Sequence, residues 1–360
     1  MHLANYQNKV NKGTLIYKRS QRKSEPRDHD IQQTQHSQYL IATSFLCADS
    51  QENSQSMANL TMVTEFLLMD FSYTWELQIL HAMLFLLIYL VALMGNLLIF
   101  TLISLDEHLQ SPMYFFLKNL SILDFCLIST TVPKSIANFL SHSHFISLLE
   151  CILQLFLVIF FASSELFILT VMSYDRYVAI CRPLNYEVIM NKKACVKMAA
   201  ASWFIGGMFG VLYTISTFTL SFCSSNEIHQ FFCDVPSLLR ISCSDTHIAL
   251  DVTIAIGFSL GILCCISITI SYGPIFSTVL KIPTTEGRSK AFSTCLPHLF
   301  VLTLFISTAA LSYLSPPSDT VSVVDLLLSM FYIVVPPVLN PIIYSLRNKD
   351  VKNSLKKLIA

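Results

Sequence analysis

The sequence is poor in charge, in cysteine and in glycine, and these shortages exclude several classes of protein. Asp, Glu, Lys and Arg make up only 13% of the 360 residues, whereas soluble domains carry about 25%. Acidic and basic residues number 23 each, so the net charge of zero does not indicate a nucleic-acid partner. The 11 cysteines are too sparse for a small secreted disulfide scaffold. The 53% of hydrophobic residues excludes a disordered chain.

What the sequence has in excess is long apolar segments. The mean hydropathy is +0.58, and 26 Phe accompany only 9 Gly. A helix that crosses the hydrocarbon core needs about 20 mostly apolar residues. Because backbone groups in lipid must be hydrogen-bonded within their own segment, these segments are helices. The sequence predicts an all-α membrane protein, a seven-transmembrane helix bundle. The predicted spans are 79–104, 113–133, 151–175, 198–219, 249–276, 292–314 and 322–345.

The distribution of Lys and Arg predicts the orientation of the bundle. Cytoplasmic segments of membrane proteins are enriched in these residues. Between the spans, the alternate side carries only Lys134 and Arg240. We therefore expect an extracellular N-terminus and a cytosolic C-terminus. The residues placed in the cytosol are Arg176, Arg182, Lys192, Lys193, Lys197, Lys281, Arg288, Lys290, Arg347, Lys349, Lys352, Lys356 and Lys357.

The chain ahead of the first span has a different composition. Residues 1–56 are polar, contain seven Lys or Arg and have no long apolar run. They are expected to form a disordered extension, which an upstream start codon would explain. The rest of the chain is expected to divide into an extracellular N-terminus at 57–78, the seven-helix domain at 79–345 and a cytosolic amphipathic tail at 346–360.

Asp124 and Glu165 are the notable pair of acidic residues inside predicted spans, where ionisable groups are costly and indicate function. A rise of about 1.5 Å per residue places Asp124 and Glu165 at one depth, with Asn96 and Asn340 within reach. Oxygen ligands of this kind suit a hard cation, so sodium is one expectation. A hydrogen-bonded polar plug with one protonated carboxyl is the alternative, because two adjacent carboxylates do not both ionise cheaply.

An ordered set of motifs carries a family resemblance. The motifs are MSYDRYVAIC at 172–181, NPIIY at 340–344, PMYFFL at 112–117, SY at 271–272, KAFSTC at 290–295 and PPVLNP at 336–341. Gly95-Asn96, Asp124, Glu165 and Trp203 complete the set. With these motifs and residues, the chain resembles the odorant receptor family of rhodopsin-like G protein-coupled receptors, over about residues 57–357.

The resemblance implies a set of activation and G protein-coupling residues. In this interpretation Asp175 holds the Arg176 guanidinium at rest, and the alternative is an ordinary interfacial ion pair. Arg176→Ala is expected to leave folding intact, since water should solvate Asp175. His298 is either a structural residue or hydrogen-bonded to the third span, and zinc binding is rejected. The implied set is Asp175, Arg176, Tyr177, Tyr272, His298, Asn340, Pro341 and Tyr344.

The resemblance also implies covalent features on the extracellular side. Four cysteines there allow three disulfide connectivities. By resemblance we expect Cys151–Cys233 and Cys223–Cys243. Asn59-Leu60-Thr61 is an N-glycosylation acceptor, and its position before the first span favours use of Asn59.

A ligand pocket is predicted between the third, fifth and sixth spans. These side chains would form a small, dry pocket for apolar volatile molecules, although ordinary helix packing also accounts for many of them. An amine ligand is not expected, because no Asp lies in the upper third span. The predicted pocket residues are Val158, Ile159, Ala162, Ser163, Ile256, Leu260, Ile306 and Ala309.

The expected function is that of an odorant receptor in the plasma membrane. It would bind a small-molecule odorant and activate a heterotrimeric G protein of the stimulatory olfactory type, which raises cAMP; no nucleic-acid partner is expected. A secondary transporter would show inverted repeats, and none is detected. An enzyme would show a nucleophile–base or His-Glu-x-x-His motif, also not detected. A peptide or lipid receptor of the same fold is the nearest alternative.

Overall fold

The computed structural model describes residues 64–68, 75–141, 145–222, 226–228, 230–244, 247–281, 284–314, 331, 333–347 and 349–359. These belong to one compact unit that begins at Met62. The predicted extension 1–56, the sequon at Asn59 and Cys223 lie outside the described residues.

Helices account for most of the described chain. The first long helices are α1 (Trp75–Leu105), α2 (Pro112–Ser141) and α3 (Leu148–Cys181). A short α4 (Tyr186–Ile189) precedes α5 (Lys192–Phe218), and a short α6 (Val235–Arg240) precedes α7 (Ile248–Leu280). The chain continues through α8 (Thr285–Leu314), α9 (Val335–Arg347) and α10 (Lys349–Ile359).

The long helices follow the predicted spans. Among the described residues, α1, α2, α3, α5 and α7 are long and apolar enough to cross a membrane. Helix α8 contains the sixth predicted span, and α9 overlaps the end of the seventh. The helices extend past the apolar segments because backbone hydrogen bonding continues where side chains become polar. Thus Asn191 caps α5 seven residues before the predicted start of that span, and α2 continues past Pro133 to Ser141.

A small sheet lies at the end of the bundle from which α3 begins, and the sequence analysis did not predict it. Strand β1 (Glu65–Leu68) lies between β2 (Phe145–Ser147), its antiparallel partner, and β3 (Glu227–Ile228), its parallel partner. The buried side chains of β1 join Cys151 and Ile228 in a hydrophobic group, here called the outer cluster. Strands of two to four residues are too short to show the alternation that identifies a strand.

Helix α3 is the centre of the packing. It contacts α2, α5 and α7 along its length, and its side chains Val158, Phe161 and Ile168 belong to a second hydrophobic group, here called the central cluster. The N-terminus of α3 is fixed by a capping box, in which the Ser147 hydroxyl accepts from the Glu150 amide and the Glu150 carboxylate accepts from the Ser147 amide. Because its contacts and its capping box fix α3, they also fix the positions of the side chains that α3 places in the interior.

Candidate functional site

A buried polar cluster links α2, α3 and α9. Asn340 Nδ2 donates to Asp124 Oδ2 at 2.9 Å, to Asp124 Oδ1 at 3.2 Å and to Glu165 Oε1 at 3.3 Å. All three side chains are fully buried. The structure thus brings the two predicted carboxyl groups to one amide, as their equal depth required. Two carboxyls this close favour a state in which they share a proton or a cation.

Asn96 makes no hydrogen bond to this cluster among the described residues. Its Oδ1 is buried without a hydrogen-bond partner there, and its place in a sodium site stays a prediction. Its Nδ2 donates to the Ala92 carbonyl at 3.0 Å and to the Pro337 carbonyl at 2.8 Å. Pro341 has no N–H for the carbonyl four residues earlier, so Pro337 would otherwise lack a helical donor. Asn96 thus stabilises the break that Pro341 makes in α9. Gly95 allows this approach, since a Cβ there would lie 2.9 Å from the Pro341 ring.

At the opposite end of α3 from its capping box, Arg176 and Asp175 form an ion pair. Arg176 Nη2 lies 3.2 Å from Asp175 Oδ2. Tyr186, on α4, donates its hydroxyl to Asp175 Oδ1 at 2.8 Å. Burial, and then the neighbouring Asp175 carboxylate, raise the pKa of Tyr186 above its ordinary value, so this phenol stays protonated and able to donate. Asp175 is therefore held by one hydrogen bond, from Tyr186, and one ion pair, with Arg176.

The expectation that water solvates Asp175 is wrong. Its side chain is 0% exposed, while that of Arg176 is 18% exposed. The position of Asp175 near a helix end suggested contact with water, but the short α4 folds back so that Tyr186 lies against the carboxylate. An unpaired charge at this position is consequently costly.

Two further activation residues connect α7, α8 and α3. His298 Nε2 lies 3.1 Å from the Leu169 carbonyl, and Tyr272 Oη lies 2.7 Å from His298 Nδ1. A carbonyl only accepts, so Nε2 carries the proton and Nδ1 accepts from the Tyr272 hydroxyl. This geometry agrees with the interpretation of His298 as hydrogen-bonded to the third span. The buried Tyr344 hydroxyl has no hydrogen-bond partner within the described part of the chain.

Tyr177 lies on the surface side of the same region. Its ring is half-buried and lies 5.8 Å from the Arg182 guanidinium, close enough for a cation–π contact. This contact joins the last turn of α3 to the residue that follows the helix, while the Tyr177 ring also packs against the central cluster.

The cysteines divide as their positions suggested. Cys151 and Cys233 are joined by a disulfide, which ties the segment before α6 to the start of α3. Cys243 is also disulfide-bonded, and its expected partner, Cys223, is outside the described residues. The described free cysteines are Cys126, Cys181, Cys195, Cys264, Cys265 and Cys295.

A buried glutamine holds the segment around Cys233, and the sequence analysis missed it. Gln154 Oε1 accepts from the Cys233 amide at 2.8 Å, and its Nε2 donates to the Thr130 carbonyl at 3.1 Å. Ser135 donates to the Phe231 carbonyl at 3.0 Å. The sequence signal that could have identified Gln154 is a polar side chain one turn after Cys151 in an apolar helix.

The same segment inserts two aromatic rings into the bundle. Phe231 packs edge-on against Phe85 of α1, with ring centroids 5.5 Å apart, and contacts Phe232 at 4.8 Å. Both rings are buried in the central cluster. We refer to residues 231–233 as the roof segment. It closes the bundle above Val158, which lies one turn below Gln154 on α3.

The structure separates the predicted pocket residues. Val158 and Ile306 pack in the central cluster, whereas Ile159 and Leu260 pack against the outer cluster. The remaining described members on α3, Ala162 and Ser163, are half-buried. The side chain of Ala309 is outside the described residues.

Ile256 belongs to neither hydrophobic cluster of the described residues. Its side chain is 45% exposed on the surface of α7, so the structure gives its predicted pocket role no support. Residues four apart on a helix differ by about 40° in direction. That rotation leaves Leu260 half-buried at the edge of the interface and turns Ile256 out of it.

Comparisons with known proteins agree with this geometry. A family model described as olfactory receptor matches residues 85–360. Human olfactory receptor 14A2 is 62% identical over 303 residues, which cover 84% of this chain and 96% of that receptor. Human olfactory receptor 14A16 is 57% identical over 303 residues, with 84% and 98% covered. The chain belongs to the olfactory receptor family.

The fold of this olfactory receptor is similar to that of a solved receptor structure. The crystal structure of squid rhodopsin aligns with a TM-score of 0.62 at 16% identity, covering 81% of this chain and 87% of that one. The receptor therefore has the seven-helix fold of rhodopsin-like G protein-coupled receptors and is a multi-pass protein of the plasma membrane. It is not an enzyme, and its partners are a small-molecule ligand and a G protein.

Proposed function

We propose that this olfactory receptor binds small, largely apolar volatile molecules and activates a stimulatory olfactory-type G protein, which raises cAMP. The observation that carries the proposal is the face of α3 between Gln154 and Glu165. It runs for about 16 Å, is apolar at Val158 and Phe161, and has polar contacts at both ends. A ligand held there would have few polar groups to contact.

The proposed orientation places the N-terminus outside the cell and the C-terminus in the cytosol. The concentration of Lys and Arg after the third and fifth spans and in the tail supports it. In this orientation the roof segment and the sheet face the extracellular side, and Arg176 faces the G protein. A glycan at Asn59 and a Cys223–Cys243 disulfide are proposed on the extracellular side.

The residues that we propose for activation surround the cytosolic end of α3. Asp175 and Tyr186 hold the Arg176 end at rest, and the His298 contacts hold α7 and α8 against α3. Movement of α8 would separate these hydrogen bonds and expose Arg176 to a G protein helix. The break at Pro341 gives α9 a position at which rotation is inexpensive.

We further propose that a sodium ion occupies the polar cluster in the inactive state. The donor set fits a hard cation, because Glu165 Oε2 and Asn340 Oδ1 are buried oxygens without a hydrogen-bond partner among the described residues. The chemistry that sodium supplies is charge compensation between Asp124 and Glu165. A shared proton is the alternative occupant.

A cAMP reporter assay in cells tests the ligand class and the pocket together. The wild-type receptor is screened with uncharged volatile molecules, primary amines, short peptides and lysolipids. Val158→Phe fills the interior of the bundle, and Ile256→Phe adds the same ring on the exposed surface of α7 as a matched control.

We expect a response to uncharged volatile molecules, with at least a tenfold loss of potency in Val158→Phe and wild-type potency in Ile256→Phe, at equal surface amounts. Activation by peptides or lysolipids alone would contradict the proposed ligand class. Equal effects of the two variants would contradict the pocket, and ligand-dependent signalling without a rise in cAMP would contradict the G protein type.

A further inference from the structure

The C-terminal helix α10 docks on the turn that follows α1. Val351 and Ser354 are buried on one side of α10, whereas Lys352, Lys356 and Lys357 are exposed on the other. The helix contacts α1, α9 and the short 3-10 turn at Glu107–Leu109. One side of α10 therefore belongs to the receptor interior, and the other is available to the surrounding solution.

The contact at this docking site is a hydrogen bond between side chains. The Ser354 hydroxyl donates to Asp106 Oδ2. Asp106 Oδ1 accepts from the His108 amide at 3.0 Å and caps the 3-10 turn. The Ser354 hydrogen bond, followed by that of His108, lowers the pKa of Asp106. The carboxylate is therefore charged at cellular pH, and Ser354 is its side-chain hydrogen-bond donor on α10.

The surroundings of Ser354 are unfavourable for a second negative charge. A cavity of about 370 Å³ beside it is lined by two acidic residues, Asp106 and Glu107, and also by His108 and Lys357. A phosphoserine carries a charge of about −1.5 to −2 and offers acceptors only, apart from any residual acidic proton. It could not replace the Ser354 hydroxyl as the donor to Asp106, and two carboxylates would repel it.

We propose that Ser354 is a phosphorylation site for a serine kinase that selects lysine-flanked serines, and that the phosphate keeps α10 undocked from the Asp106 turn. In the reaction the Ser354 oxygen attacks the γ-phosphorus of ATP, its proton is lost, the bond to the β-phosphate oxygen breaks and ADP leaves. Lys352, Lys356 and Lys357 supply the exposed basic flanks. The proposal rests on the cytosolic location of the tail, and not on the proposed ligand or G protein type.

Burial of Ser354 determines when the reaction can occur. The residue is 6% exposed while α10 is docked, so a kinase reaches it only when the helix has lifted. Short helices at the end of a chain open more readily than the core. Because the phosphate excludes re-docking, each modification traps the lifted state. The extent of phosphorylation at Ser354 would thus depend on how often α10 separates from the bundle.

The test begins with purified full-length receptor in detergent, where orientation has no influence. The receptor is incubated with ATP and a kinase that prefers basic flanks, and modified peptides are identified by mass spectrometry. Ser289 is the internal control, because it is exposed and lies between Arg288 and Lys290. We expect phosphate at both Ser289 and Ser354. Phosphate at Ser289 with none at Ser354 would overturn the proposed site.

Hydrogen exchange of the amides of α10 then tests the structural consequence. We expect exchange at least tenfold faster after phosphorylation of Ser354 and in Ser354→Glu, with Ser289→Glu matching wild type. The Asp106→Asn change should restore slow exchange to Ser354→Glu, since an amide does not repel the added charge. Unchanged exchange in the phosphorylated receptor would overturn undocking. Exchange in Ser354→Ala as fast as in Ser354→Glu would overturn repulsion as its cause.

Discussion

Replacement of Arg176 by alanine is expected to destabilise the receptor as well as to impair signalling. The substitution leaves Asp175 with a side chain that is 0% exposed and without the guanidinium 3.2 Å away. Loss of one member of a buried ion pair typically costs about 3–5 kcal/mol. Because Tyr186 still donates to the carboxylate, we expect the lower end, about 3 kcal/mol. That cost raises the ratio of unfolded to folded receptor about 140-fold.

Three variants distinguish the effect of an unpaired Asp175 charge from the other effects of replacing Arg176. Arg176→Ala leaves a buried carboxylate, Asp175→Asn removes that charge and retains an acceptor for Tyr186, and the double variant leaves no charge at the site. We expect the double variant to recover most of the stability lost in Arg176→Ala. The measurements are the thermal unfolding temperature of purified receptor and the amount at the cell surface, each at fixed pH and salt.

Two results would refute this reasoning. If Arg176→Ala unfolds at the wild-type temperature and reaches the surface normally, water or a neighbour compensates Asp175 and the carboxylate is not isolated. If the double variant is as unstable as Arg176→Ala, the loss comes from packing of the arginine chain. A stable double variant that gives no cAMP response to agonist would separate the signalling role of Arg176 from its structural one.

Two other perturbations test the two ends of the proposed pocket. Gln154→Leu removes the acceptor for the buried Cys233 amide, at a cost of about 1–3 kcal/mol. It should lower agonist potency at matched surface expression, while non-reducing mass spectrometry still finds the disulfide. Wild-type potency would show that the roof segment does not depend on Gln154. Replacing choline chloride by sodium chloride should raise the unfolding temperature of wild-type receptor and not of Glu165→Gln, and an equal rise in both would argue against sodium in the polar cluster.

The sequence predicted the depth of residues better than their direction. Apolar segments of about 20 residues identified the spans, and the rise per residue brought Asp124 and Glu165 to one level. Depth alone does not fix the rotation of a helix about its axis. Asn96 therefore had a suitable depth but serves the Pro337 carbonyl, and Ile256 had a suitable depth but faces outward.

Contacts that depend on short segments were beyond prediction for a different reason. The buried carboxylate of Asp175 accepts a hydrogen bond from a single tyrosine on α4, a helix of four residues. The roof segment is held by backbone groups of Cys233 and Phe231 that bind Gln154 and Ser135. Such contacts have no periodicity, and their partners are distant in sequence, so the residue pattern does not report them.

The central position of β1 in the sheet has a consequence for biosynthesis. This strand is the first to be made, yet its antiparallel partner precedes α3 and its parallel partner follows α5. The strand must therefore remain unpaired until α1 and α2 have been made and β2 follows them, and the sheet is completed only after α3, α5 and the chain beyond α5 have emerged. A deletion of residues 64–68 would leave β2 and β3 with no strand between them. The strand that is made first is therefore among the last elements to reach its final contacts.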